Sequence, residues 1–111
     1  MPIRSKIRRR EALAFSFVLL ASPSWGAGPK VHRIKIEDLA FGPAPSGLHV
    51  GDIVEWTNSD ILRHTATATD GSFDVDLPAG AKGRAIMKRA GSITYFCRFH
   101  PGMKGRLEVA P

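Results

Sequence analysis

Apolar residues recur at every second position through much of the chain after residue 30. The residues that share one face of such a segment are Ile34 with Ile36, Val54 with Trp56, Ile93 with Tyr95 and Cys97, and Leu107 with Val109. A period of two is typical of β-strands, because successive side chains point to opposite faces of a sheet. Turn signals separate the segments at 41–47, 69–72, 77–83 and 89–91, and no segment carries a sustained helical stripe. The pattern predicts an all-β, antiparallel two-sheet sandwich.

The first 26 residues differ in composition from the rest. A basic run from Arg4 to Arg10 precedes an apolar stretch from Ala12 to Ala21, and small residues follow at Ser24 and Gly26. This order is typical of a signal peptide, and the apolar stretch falls short of the roughly 20 residues that a spanning helix needs. We predict a signal peptide at 1–26, cleaved after Gly26 or alternatively one residue later, and one domain at 27–111. We expect the domain in the periplasm, without stable membrane insertion. The sequence does not decide by which export route it would reach that compartment.

Export changes the charge of the chain and the meaning of its cysteine. The leader holds five of the 16 basic and one of the 10 acidic residues, which leaves a net charge of +2 for the mature domain. This charge gives no support to nucleic-acid binding. Cys97 is the only cysteine, so no internal disulfide can form. In an exported protein such a thiol is free, bridges two chains, or is a thiolate protected by a metal.

Three soft donors lie close together near the C-terminus. Cys97, His100 and Met103 form a C-x2-H-x2-M pattern, and His64 lies upstream where a loop becomes a strand. Two imidazoles, one thiolate and one thioether suit a mononuclear copper ion in electron transfer, because sulfur favours Cu(I) and imidazole accommodates Cu(II). We predict one copper ion per chain, bound by His64, Cys97, His100 and Met103.

Each of these residues has an ordinary explanation when taken alone. Cysteine and methionine commonly pack in a core, and a zinc site with one Cys and two His remains an alternative, although zinc would have no use for Met103. His32 and His49 are expected at the surface or in packing contacts rather than on a metal.

The chain resembles the cupredoxins, the family of small blue copper proteins, and within it the amicyanins and pseudoazurins. The segments that carry the resemblance are FGP at 41–43, VGDIVEWTNSD at 50–60, HT at 64–65, DGSFD at 70–74 and Y-x-C-x2-H-P-x-M-K-G at 95–105. The resemblance covers nearly the whole mature chain and implies a Greek-key β-sandwich with copper at one end. It implies the same four copper ligands, with hydrogen bonds to the ligand loops from Asn58 and Thr65.

Two positions depart from that family. Phe99 stands where many relatives have proline, which restores a backbone N–H near the Cys97 sulfur and is expected to stabilise the thiolate. Thr65 stands where many relatives have asparagine, so the link between the two ligand loops is expected to be weaker.

These observations predict an electron carrier that cycles between Cu(II) and Cu(I), with a periplasmic copper carrier or scavenger as the alternative. An enzyme is not expected, because Phe96 and Arg98 occupy the places beside Cys97 where multicopper oxidases and nitrite reductases need histidine. We expect a monomer that docks a redox partner with an acidic face around His100. The basic residues expected to ring that surface are Arg63, Arg98, Lys104 and Arg106.

Overall fold

A computed structural model describes residues 28–111, so the predicted signal peptide at 1–26 lies outside the described residues. The described chain forms nine strands: β1 (Val31–Glu37), β2 (Ala40–Phe41), β3 (Leu48–His49), β4 (Ile53–Asn58), β5 (His64–Ala68), β6 (Asp74–Leu77), β7 (Lys82–Ile86), β8 (Gly91–Cys97) and β9 (His100–Ala110). Nowhere in this range is there a helix long and apolar enough to cross a membrane.

The strands form two sheets that face each other. One has the order β2-β1-β4-β7 and the other the order β3-β9-β8-β5-β6. The predicted all-β Greek-key sandwich is confirmed. The expectation of purely antiparallel sheets is wrong, because β1 runs parallel to β4 and β3 runs parallel to β9. Hydrophobic alternation shows which face of a strand is buried, but it carries no information about the direction of the neighbouring strand.

An aromatic cluster fills the centre of the sandwich. Trp56 is fully buried and donates a hydrogen bond from Nε1 to the hydroxyl of Tyr95 at 3.3 Å. The rings of Phe41 and Phe73 lie 4.5 and 5.9 Å from the Tyr95 ring, and burial raises the pKa of Tyr95 to about 12. Gly105 passes directly over this ring, where a Cβ atom would lie only 2.4 Å from it. The core is therefore closely packed around Tyr95, which precedes Cys97 by two residues on the same strand.

Glu55 is buried on β4, although the alternation places it on the face opposite Trp56. Its carboxylate accepts hydrogen bonds from Arg33 on β1 at 3.1 Å and from Arg84 on β7 at 2.8 Å. These bonds, first that from Arg84, lower the pKa of Glu55. Two neighbouring strands thus bury a charged residue and neutralise it, which hydrophobic alternation alone does not predict.

The pairing of β8 with β9 changes register at the cysteine. Regular antiparallel pairs run from Gly91 with Val109 to Phe96 with Lys104, but Cys97 lies opposite His100. Residues 101–103 therefore leave the ladder as a short excursion. The sequence predicts the last strand from about residue 104, whereas β9 begins at His100, because His100 already pairs with Cys97 across a tight turn.

Candidate metal centre

Three of the four predicted ligands meet at one end of the sandwich. The Sγ atom of Cys97 lies 3.7 Å from Nδ1 of His64 and 3.6 Å from Nδ1 of His100. His64 begins β5, Cys97 ends β8 and His100 begins β9, so all three side chains extend from strand ends. Within residues 28–111 this is the only group of at least three His, Cys or carboxylate side chains close enough to share a metal ion.

The distances between the donor atoms fit a single bound ion. Metal–nitrogen bonds of about 2.0–2.1 Å and a metal–sulfur bond of about 2.3 Å bring the donors to about 3.6–3.8 Å from each other at angles between tetrahedral and trigonal. His64 and Cys97 are fully buried, and His100 is half-buried. Of these three ligands, His100 alone is partly open to solvent.

Met103 lies in the short excursion that separates His100 from the rest of β9. It is buried, with 6% of its surface exposed, and belongs to the hydrophobic core cluster. The next residue, Lys104, pairs with Phe96, which precedes Cys97. The fold therefore brings the chain at Met103 beside the cysteine, and the assignment of its thioether as a ligand stays a prediction.

The other two histidines lie outside this group. Nε2 of His32 is 2.9 Å from a carboxylate oxygen of Asp52, and Nδ1 of His49 donates to the carbonyl of Gly47 at 3.0 Å. Both have polar partners in the structure, in line with the structural roles expected for them.

The surroundings of Cys97 favour the thiolate. Burial by itself raises the pKa of the thiol, but hydrogen bonds, first that from His100, then that from the Thr65 amide and last that from the Phe99 amide, outweigh it and lower the pKa from 9.0 to about 6. The Thr65 N–H lies 3.4 Å from Sγ. Phe99 contributes least among these groups, and its amide is the donor that the sequence predicts at this position. The thiolate is the form of cysteine that binds metals.

A chain of hydroxyl groups ties the loop of Cys97 to β5 and β6. The Arg98 N–H donates to Oγ1 of Thr65 at 2.9 Å, and this oxygen lies 2.9 Å from Oγ1 of Thr67. Thr67 donates to the Asp74 carboxylate at 2.7 Å. Since a carboxylate only accepts, Thr67 must donate to Asp74 and Thr65 to Thr67. The expected weakening of the link at Thr65 is therefore offset by this chain.

Asn58 joins the loop of His64 to the neighbouring strands. Its side-chain amide donates to the carbonyls of Leu62 and Leu77 at 2.8 and 2.9 Å, and its side-chain oxygen accepts from the Asp60 N–H at 2.9 Å. Asn58 is fully buried, so these bonds satisfy a polar group that has no access to water. This agrees with the loop-bracing contact expected at Asn58.

Asp60 is a residue that the sequence reasoning did not assign to the site. An oxygen of its carboxylate lies 2.8 Å from Nε2 of His64, on the side of the ring away from Cys97. This bond, followed by that from the Leu39 amide, lowers the pKa of Asp60. The sequence does show an acid four residues before a ligand histidine. That spacing alone does not establish a contact, and only the loop conformation shows that the two side chains meet.

Solved structures share this architecture. The chain superposes on amicyanin from Paracoccus versutus (Thiobacillus versutus) with a TM-score of 0.60 and 24% identity, over 71% of this chain and 80% of the other. For a purple cupredoxin from Nitrosopumilus maritimus the TM-score is 0.57 and the identity 23%, over 71% and 99%. For the reduced Cu(I) form of an amicyanin mutant the TM-score is 0.61 and the identity 24%, over 71% of this chain and 81% of the other. This chain has the cupredoxin fold.

The structural similarity confirms the resemblance drawn from the sequence motifs. No protein-family model and no curated protein sequence matches the chain. At the identities found, similarity to these cupredoxins establishes the fold, and the function has to be argued from the donor atoms themselves.

An exposed apolar surface lies at the ligand end of the sandwich, on the loops before His64 and His100 and on the turn that Asp60 contacts. We call it the site-end patch, and its members are Leu39, Ile61, Leu62 and Phe99, with 49%, 92%, 45% and 50% of their surfaces exposed. The guanidinium groups of Arg63 and Arg98 lie 5.9 and 5.6 Å from the centre of the Phe99 ring. Exposed apolar residues grouped at one end of a domain are typical of a contact surface.

The positive charge beside this patch is smaller than the sequence predicts. Arg63 pairs with Asp76 at 2.6 Å and Arg98 pairs with Asp74 at 3.2 Å. Both acids belong to β6, which lies next to β5 in the sheet, so a count of charges near His64 and His100 along the sequence missed them.

Proposed function

We propose that this chain is an exported electron carrier with one mononuclear copper ion bound by His64, Cys97, His100 and Met103. The observation that carries the proposal is the convergence of one thiolate and two imidazole Nδ1 atoms at 3.6 and 3.7 Å, on three strand ends of a closed sandwich. A site built on strands changes little in shape when its charge changes. Such rigidity favours electron transfer over chemistry that requires open coordination positions.

The donor chemistry supports copper over zinc. A buried thioether at Met103 has little affinity for zinc, whereas thiolate and thioether together favour Cu(I). A reduced Cu(I) form of an amicyanin mutant is among the structures that share the fold. When bound, copper supplies one electron acceptor that alternates between Cu(II) and Cu(I).

The protein residues hold the site and give access to it. Hydrogen bonds to Cys97 keep the sulfur charged, and Asp60 orients His64. His100 is half-buried and directly follows Phe99 of the site-end patch, so electrons would enter and leave through its ring. No catalytic role is proposed, since the sequence beside Cys97 offers no histidine for a second metal.

We propose the periplasm as the location, supported by the signal-like sequence at 1–26. The partner is a redox protein that docks on the site-end patch, and the chain acts as a monomer. An acidic face on that partner remains our prediction. Lys104 supports it, but the pairing of Arg63 and Arg98 with acids predicts weaker steering than four free cations would give.

The visible spectrum of the copper-loaded mature domain tests the proposed centre. We expect an intense blue thiolate-to-copper band that is lost in Cys97→Ser, even where copper still binds. A wild-type protein that binds copper without this band would overturn the proposal.

Two measurements on one sample distinguish an electron carrier from a copper carrier. They are the rate of electron self-exchange and the rate at which copper passes to a chelator. We expect fast self-exchange and slow loss of the metal. Slow exchange with ready loss of copper would instead favour a copper carrier or scavenger with the same fold and ligands.

A further inference from the structure

The hairpin between β1 and β2 has an unusual residue, Leu39, in its two-residue turn. The two turn residues, Asp38 and Leu39, have φ angles of 53° and 57°, and no other non-glycine residue in the described chain has a positive φ. Leucine is poorly suited to this left-handed conformation, where glycine or asparagine is normally found. The twist of the two strands favours this turn shape but Leu39 does not, so a further contact that stabilises the turn is expected here.

The partner of the turn is the carboxylate of Asp60. One of its oxygens accepts the Asp38 N–H at 2.8 Å, and the other accepts the Leu39 N–H at 3.0 Å. Two successive amides in the left-handed conformation form a concave site for an anion. The carboxylate fills it from a loop more than 20 residues away in sequence.

The same carboxylate reaches the metal centre. The oxygen that accepts from Leu39 also lies 2.8 Å from Nε2 of His64. A carboxylate has no proton to donate, so Nε2 is the protonated nitrogen of His64. In the neutral ring the lone pair then lies on Nδ1, which is the atom that faces the Cys97 sulfur.

We propose that the Asp38–Leu39 turn is a positioning element for the metal ligand His64: its two amides hold Asp60, and Asp60 fixes the tautomer and orientation of the His64 ring. This rests on the proposed copper centre, because the direction imposed on Nδ1 matters only when a metal binds there. The contacts of ligand histidines with carboxylates are known to raise ligand basicity and metal affinity.

A second carboxylate provides a matched control. Asp52 accepts the amides of Lys30 and His49 at 3.2 and 3.1 Å and lies 2.9 Å from Nε2 of His32. It therefore makes the same three kinds of bond as Asp60, but it precedes β4 whereas Asp60 follows it. Its histidine is not part of the metal cluster.

The first experiment compares Asp60→Asn with Asp52→Asn in the copper-loaded domain. We expect Asp60→Asn to bind Cu(II) about tenfold more weakly. If Cu(I) affinity is unchanged, the reduction potential rises by about 59 mV. Asp52→Asn should leave both affinity and potential at their wild-type values. Equal effects of the two substitutions, or none from Asp60→Asn, would overturn the proposal.

The second experiment tests the turn by itself and needs no copper. Leu39→Pro removes the N–H that binds Asp60 and, because proline holds φ at about −65°, also forces the turn out of its left-handed shape, whereas Leu39→Gly keeps the N–H and tolerates the positive φ. Nitrogen NMR of the His64 ring in the copper-free domain should show the Nε2–H tautomer in the wild type and Leu39→Gly. Leu39→Pro should show a mixture, and an unchanged ring in this variant would overturn the proposal.

These readouts separate the two claims. A wild-type domain without the blue copper band would remove the proposed function, whatever the tautomer of His64. A blue wild-type domain in which Asp60→Asn has no effect would remove only the positioning role.

Discussion

The amide of Thr65 and the sulfur of Cys97 lie 3.4 Å apart, and the hydroxyl of the same threonine accepts the N–H of Arg98. One residue on β5 thus binds two consecutive residues of the cysteine loop, once through its backbone and once through its side chain. The two contacts can be separated by mutation, because a side-chain change leaves the amide in place.

Replacing Thr65 by valine should therefore reduce stability without abolishing the site. The Arg98 N–H loses its acceptor, so we expect the free energy of unfolding to fall by about 1–3 kcal/mol. The blue band should persist, since the Thr65 N–H still reaches the sulfur. Denaturant unfolding of the copper-free domain measures the change, with Thr57→Val on the other sheet as the control. Equal losses in both variants would show that the hydroxyl chain has no special role.

Met103→Gln should keep the blue site but lower its reduction potential, because an amide oxygen is a harder donor than a thioether and favours Cu(II). Cyclic voltammetry of the two loaded proteins measures the shift. The matched substitution is Met87→Gln, which changes a buried methionine directly after β7 and should leave the potential unchanged. If Met103→Gln changes neither spectrum nor potential, Met103 is a core residue and not a ligand.

Copper should stabilise the domain, because it binds the assembled site and not the scattered ligands of the unfolded chain. At free copper 100-fold above the dissociation constant we expect about 2.7 kcal/mol of added stability. For a domain of this size this corresponds to a melting temperature higher by about 10–20 °C. Calorimetry with and without copper measures it, and Cys97→Ser should show a smaller gain. Identical melting temperatures in the wild type would contradict a native metal site.

Reversing the charge of Arg98 and Lys104 to glutamate should slow the reaction with an acidic redox partner several-fold at low ionic strength. The reversal also leaves Asp74 without its arginine, which adds to the repulsion. Stopped-flow rates across a salt series measure the effect. Lys30→Glu with Lys88→Glu, at the other end of the sandwich, makes the same change in net charge and should slow the reaction much less. An unchanged rate in the first variant would move the docking surface elsewhere.

Stability in acid should depend on Asp52. Its hydrogen bond with His32, and then those from the Lys30 and His49 amides, lower its pKa from 3.8 to about 2. A lowered pKa in the folded state stabilises the domain above pH 3.8, and this stabilisation is lost as the pH falls through about 2. Between pH 5 and pH 2 the melting temperature of the copper-free domain should therefore fall less steeply in Asp52→Asn than in the wild type. Parallel curves for the two proteins would contradict this role.

Much of the fold could be predicted from local pattern. Alternation identified β1, β4, β8 and the C-terminal part of β9, because those strands have one face in the core. The short strands β6 and β7 were missed, since β6 contains two acids and Lys82 and Gly83 of β7 read as part of a turn. Gly83 is in fact required there, because a Cβ atom would lie 2.4 Å from the side chain of Val75.

The site was predicted where its residues are adjacent in sequence and missed where they meet only in space. Cys97, His100 and Met103 occur within seven residues, so their type and spacing were visible. The contact between Asp60 and the Asp38–Leu39 turn joins two loops through backbone amides. Because amides carry no residue identity, no sequence pattern could have shown it.

The buried Trp56 gives this domain an internal optical reporter. The chain has two tryptophans, and Trp25 lies within the predicted signal peptide, so the mature domain would emit from Trp56 alone. Its emission should move to longer wavelength only when water reaches the aromatic cluster, whereas the visible band follows the thiolate. Recording both signals during one denaturation would show whether the metal leaves an intact sandwich or departs only as the sandwich opens.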